Sequence, residues 1–229
     1  MKVCRLIFLF LACSALLGCG TKSETRFSNV EVPEENRVEA ELRRLDKELT
    51  GMDYSKSAEE FSKLRNSYAS ADSVLDRNFL DIYTEAVLRV GSVEQIETRD
   101  IVRRFANDKP YGDFFNDADS VFPDMTSEKA ELNQAFSILK CHLPKLNVPK
   151  EYVALISGFY SNVLCTNTRL GFSLEYYLGD NYPNYKYVDG LYDYMVVNYR
   201  REKLVSDGIF CWLSTEYELK EPDPTLLQK

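Results

Sequence analysis

Leu16-Leu17-Gly18-Cys19 places a thiol after a small residue, at the end of an uncharged apolar run from Leu6 to Leu17. A thiol there is the nucleophile that takes a diacylglycerol thioether. Gly18 fits a peptidase that cuts between Gly18 and Cys19, and the pattern looks like the bacterial lipobox. Lys2 and Arg5 form a short positive region ahead of the run. At about 1.5 Å per residue the run makes roughly 18 Å of helix, too short for a hydrocarbon core of about 30 Å. It reads as a signal peptide, not a membrane span. Residues 1–18 are thus expected to be removed, leaving Cys19 as an acylated (palmitate-type) first residue. Each buried CH2 holds the chain to the bilayer by about 0.8 kcal/mol. Residues 19–32 are polar and read as a tether, and 33–229 as one domain.

Elsewhere the chemistry-bearing residues are sparse. His142 is the one histidine, so a His-Glu-x-x-His zinc site is impossible within this chain. Ser157 lies between Ile156 and Gly158, without the Gly-x-Ser-x-Gly elbow of a serine hydrolase. Glu175, Asp180, Asp189 and Asp193 gather carboxylates in one region, without EF-hand spacing. There is no Gly-rich phosphate loop. No cofactor, no metal and no catalytic residue is therefore expected, and the chain reads as a non-enzyme. The segment 176–199 is rich in tyrosine, whose flat apolar body and polar tip suit protein or sugar surfaces. The candidate binding residues are Glu175, Tyr176, Tyr177, Asp180, Tyr182 and Tyr185. A tyrosine-rich core periphery is the competing reading.

Cys141, Cys165 and Cys211 remain after the leader and Cys19 are set aside. Three thiols permit at most one disulfide, and spacing does not choose the pair. Free, core-like thiols are the expectation. Loss of Lys2 and Arg5 takes the net charge from −8 to −10. An acidic body argues against nucleic acid and against a polybasic membrane-surface mode.

The elements that must carry these residues follow from apolar spacing. Val38, Leu42, Leu45 and Leu49 share one helical face, predicting a helix over 33–49 that stops at Gly51. Ser57-Ala58-Glu59-Glu60 has the capping-box pattern before a helix using Phe61, Leu64 and Tyr68. Helices are predicted over 73–90, 94–106 and 126–142, the last stopped by Pro144. Residues 152–159 read as a strand, and Leu170, Phe172, Leu174 and Tyr176 alternate as a second strand, with Glu175 plausible on its solvent side. Residues 188–199 and 203–217 return to helical spacing. The sum is an α+β domain, mostly helical with a small sheet.

The segment Pro149 to Tyr187 carries a resemblance. Its elements are Ile156-Ser157-Gly158-Phe159, Leu170-Gly171-Phe172-Ser173-Leu174, Tyr177-Leu178-Gly179 and Asp180-Asn181-Tyr182-Pro183. The helix end Leu139-Lys140-Cys141-His142-Leu143-Pro144 precedes them. Together they resemble the gliding-motility lipoprotein family GldB of Bacteroidetes. The family has Tyr-Phe-Pro where this chain has His142-Leu143-Pro144. The resemblance implies a noncatalytic, lipid-anchored cell-envelope protein, at the outer membrane, acting through contacts with unidentified envelope proteins of motility or secretion machinery. It also implies a fold distantly similar to zinc metallopeptidases, in degenerate form. The family continues past position 229, so the chain is expected to be C-terminally incomplete. Rival readings are an envelope glycan- or peptide-binding lipoprotein using residues 176–199, and a degenerate metallopeptidase-like hydrolase.

Overall fold

A computed structural model describes residues 30–69 and 77–217. The signal run, the cleavage pair Gly18 and Cys19, most of the tether, the start of the 73–90 helix and the last residues, 218–229, lie outside these described residues. All the elements below belong to the unit Val32–Lys229.

The architecture is α+β, mainly helical, around one four-stranded sheet of order β1-β2-β4-β3. The strands are β1 (Glu41–Arg44), β2 (Glu151–Leu155), β3 (Val163–Cys165) and β4 (Arg169–Ser173). β1 runs parallel to β2 and β2 parallel to β4, with Val153 opposite Gly171 and Ala154 opposite Phe172. β3 is a short antiparallel edge strand. The helices are α1 (Leu45–Thr50), α2 (Ser57–Ser67), α3 (Phe79–Asp81), α4 (Ile96–Asn107), α5 (Tyr111–Val121), α6 (Thr126–His142), α7 (Asp193–Val196) and α8 (Leu204–Glu216). α3 runs on into a π-helical stretch, Ile82–Val87.

The central strands are buried along almost their whole length, as parallel strands covered on both faces must be. On one face Tyr152 stacks on Phe136 of α6, and Phe136 meets Trp212 of α8 edge-on. α8 comes so close that a Cβ on Gly208 would lie 2.6 Å from the Phe172 ring. On the other face Phe79 fills the space left by Gly171, where a Cβ would be 3.2 Å from its ring. Tyr83 donates its hydroxyl to the carbonyl of Ile156 at 2.8 Å.

Several elements differ from the sequence expectation. Residues 33–49 are not one helix. Val38 and Ala40 are buried while Glu39 and Glu41 are exposed, a period of two that competes with the helical spacing. The extended segment is held because Ser137 of α6 accepts from the Val38 amide (2.8 Å) and Asn133 accepts from the Ala40 amide (3.1 Å). Helix resumes only at Leu45, and Gly51 ends it as expected. Ser57 does not cap α2; a 3-10 turn precedes it, in which Asp53 accepts from the Ser55 amide. The strand expected over 152–159 stops at Leu155. The strand expected through Tyr176 stops at Ser173 and becomes a 3-10 turn, Leu174–Tyr177. Of the helix expected over 188–199 only the four residues of α7 form. β3 and α5 were not anticipated.

A corner at the carboxyl ends of the strands

β2 and β4 run in the same direction, so their carboxyl ends emerge side by side. In open sheets this edge is where ligand crevices form. Beyond β2, Ile156 and Ser157 lead to Gly158 (φ 71°) and Phe159 (φ 67°), two successive left-handed residues. Glycine adopts this conformation freely; phenylalanine does so at a cost of about 1–2 kcal/mol. Beyond β4, the 3-10 turn swings Glu175 inward, where it is fully buried.

The two strand ends are tied together by this carboxylate. Its Oε1 accepts from the Ser157 amide (2.8 Å), the Ser157 hydroxyl (2.7 Å) and the Phe159 amide (3.1 Å). These donors orient the left-handed pair and offset its strain. Oε2 has no hydrogen-bond partner. Burial pushes the Glu175 carboxyl above its usual range, and the donors from Ser157 and Phe159 only partly oppose that shift. Sequence spacing allows Glu175 on the solvent side of a strand, as an alternative to a binding role. The structure turns it into the interior because the strand ends two residues earlier.

The other candidate residues form the scaffold of the same corner. The Tyr176 hydroxyl donates to the Phe159 carbonyl (2.6 Å), and Tyr185 donates to the Glu175 carbonyl (2.7 Å). Tyr177 donates to Asp207 of α8 (3.2 Å), and Tyr182 donates to Asp117 of α5 (2.5 Å). Asp180 pairs with Arg200 at 2.6 Å. The rings of Phe114, Tyr176 and Tyr185 surround Phe159 at centroid distances of 5.2, 5.2 and 6.0 Å. Burial raises Tyr176, Tyr177, Tyr182 and Tyr185 above the usual phenol range, so they stay protonated donors. The six candidates thus converge, with Glu175, Tyr177 and Tyr185 buried.

The hollow itself opens beside them. It has a volume of about 540 Å³. Its walls come from the start of α5 (Pro110, Tyr111, Asp113, Phe114), the Gly158–Tyr160 turn, and residues 184 and 187–189. None of the six candidates lines it; Asn184, Tyr187, Val188 and Asp189 are its contribution from the tyrosine-rich segment. Those residues and the α5 wall were missed. Sequence spacing cannot bring α5 to the 158–160 turn, and only the shared aromatic character of the two segments hinted at it.

Four tyrosines of this region stand in solvent, Tyr160 and Tyr187 on the wall of the hollow and Tyr192 and Tyr194 a few residues further along the chain. Tyr160 is 62% exposed, Tyr187 73%, Tyr192 62% and Tyr194 74%. Tyr192 and Tyr194 stack nearly parallel, with centroids 5.8 Å apart. Among the described residues no group of three or more His, Cys, Asp or Glu side chains is placed to hold a metal ion. His142 sits in the last turn of α6. Ser157 is fully buried, so its hydroxyl serves the corner and is closed to a substrate.

A mixed sheet sheathed by helices, with an aromatic hollow at its carboxyl edge, defines a mainly helical α+β domain, and no helix among the described residues is long and apolar enough to cross a membrane. The family model for the gliding motility protein GldB matches residues 26–229, and the chain belongs to that family. Its standing as a lipoprotein family suggests a cell-envelope location. Searches of the curated proteins and of the solved structures find no match to the chain.

Proposed function

We propose that this protein is tethered to the envelope through an acylated Cys19 and works without catalysis, by docking other envelope proteins on its tyrosine-rich face. The observation that carries the reading is the set of exposed tyrosines, Tyr160 and Tyr187 on the wall of the hollow and the stacked pair Tyr192 and Tyr194 in the same tyrosine-rich segment as Tyr187. Solvated tyrosines in such number mark a surface meant to be covered, because each buries a large apolar area at low entropic cost. Family membership and the lipobox-like Leu16–Cys19 support the envelope setting. The inaccessibility of Ser157 and the lone histidine support a noncatalytic role.

Capture from detergent-solubilised envelopes tests it. The wild-type chain should retain defined proteins that are lost several-fold with Tyr192→Ala and Tyr194→Ala together. Recovery of none, at normal abundance, would overturn the docking role. Mass spectrometry of the native protein showing an unmodified Cys19 would overturn the tether.

A further inference from the structure

The hollow has walls of two chemical kinds. Tyr111, Phe114, Phe159, Tyr160 and Tyr187 present rings, while Asp113 and Asp189 present carboxylates. No lysine or arginine lines it. Lys109 reaches Asp113 at 3.5 Å but is itself 83% exposed. Lys186 lies over the Tyr187 ring, 4.8 Å from its centroid. Among the described residues no cation pairs with Asp189. Asp113 already shares Lys109, so Asp189 is the carboxylate left for a ligand, and rings beside it suit a cation, since the ring face and the acid attract the same charge. The buried Glu175 presets the Gly158–Phe159 wall, so little ordering is left to be done on binding.

From this charge complementarity we infer that the hollow receives a basic side chain of a partner protein, arginine in preference to lysine. A guanidinium lies flat on tyrosine and phenylalanine, sheds water more readily than an ammonium, and still reaches a carboxylate through its edge. The inference deepens the docking role above and rests on it for the identity of the partner. The test uses the full chain and capped tripeptides with a central Arg, Lys or Leu, followed by calorimetry, with chitotriose as a neutral sugar. The Arg peptide should bind most tightly, at about millimolar strength. Asp189→Asn should weaken it by about fivefold, the upper end for a partly exposed ion pair. Equal binding of the Leu peptide, indifference to Asp113→Asn and Asp189→Asn together, or binding of chitotriose alone would each overturn it. Partner capture lost with the tyrosine variants but untouched by the aspartate variants would sink the basic-side-chain assignment and leave the docking role standing. Aspartate-dependent binding of the Arg peptide with no captured partner would do the reverse.

A separate observation concerns two thiols. The Sγ atoms of Cys165, at the end of β3, and Cys211, on α8, lie 2.7 Å apart although 46 residues separate them. Cys141 lies elsewhere, accepting from Asn36. We propose that Cys165 and Cys211 are joined by a disulfide in the envelope, pinning α8 to the sheet edge. The contact with Cys165 holds the Cys211 thiol below its usual range, which favours Cys211 as the attacking thiolate. It opens the disulfide of a thiol–disulfide oxidoreductase. Cys165 then displaces that protein, which leaves as a dithiol carrying the two electrons and two protons. Non-reducing digestion of native protein, alkylated on extraction, should yield linked Cys165 and Cys211 peptides with Cys141 alkylated. Dithiothreitol should lower the melting temperature of the wild type but not of Cys165→Ser. Alkylation of both Cys165 and Cys211 in native protein, or a link to Cys141, would overturn it.

Discussion

Asp46 and Glu175, two of the buried carboxylates among the described residues, are handled in opposite ways. Asp46, at the start of α1, is 2% exposed and meets a full countercharge: Arg44 approaches it with two nitrogens, at 2.9 and 2.7 Å. Arg44 is itself held by the Phe122 carbonyl. Glu175 is equally buried but has only neutral donors on one oxygen. An ion pair of the first kind fixes a helix start to a neighbouring loop, and its two charges cancel. A carboxylate gripped by amides instead fixes the backbone of a turn, and the penalty on its charge stays. The first arrangement serves stability; the second shapes a wall of the hollow.

The comparison can be broken by removing each acid in turn. Asp46→Ala should cost about 3–5 kcal/mol in urea denaturation, because Arg44 is left without its partner. The Arg44→Ala, Asp46→Ala double variant should cost less than the two single losses together. Glu175→Ala should cost about 2–4 kcal/mol, since buried donors at Ser157 and Phe159 lose their acceptor. Its distinguishing effect is local: hydrogen exchange should rise at residues 157–160 before it rises in the central strands. Gly208→Ala supplies an uncharged yardstick at about 1–3 kcal/mol, the usual range for overpacking, as its methyl meets the Phe172 ring. The smallest effect concerns pH. The Glu175 carboxyl keeps its proton longer in the folded protein than in the unfolded chain. Its contribution is therefore complete below about pH 4.3, the unfolded value, and declines as pH rises through the higher folded value. Glu175→Gln, which keeps an oxygen for the same donors, should flatten that decline in melting temperature. An unchanged pH profile would count against the difference drawn between the two acids.

The parts legible in the sequence are those where one face alone is buried. α4, α6 and α8 fall close to their expected ranges because apolar stripes and terminal signals agree. The 33–49 region misled because Val38, Leu42, Leu45 and Leu49 satisfy a helix, while Val38 and Ala40 equally satisfy an extended chain. Hydrogen bonds from α6, about a hundred residues away, decide between them. α5 has its apolar face in Phe114, Phe115 and Ala118 and starts directly after Pro110, a residue that stops a helix as readily as it starts one. The 188–199 segment failed for the opposite reason. Tyr192, Tyr194 and Val197 all face solvent, so no core rewards a long helix. The tyrosine-rich segment supplies hydroxyls that brace the candidate corner. Its hydroxyls could not be assigned from sequence, because their partners Phe159, Asp117 and Asp207 lie on three other elements.

The seating of the amino-terminal segment has a mechanical side. A load entering near Val32 would not reach the hollow directly. It would first be resisted where Val38 and Ala40 are bonded to α6, and then along the four paired positions of β1 on β2. Those fastenings act in series, so the margin of the sheet works as a strain relief for the rest of the domain.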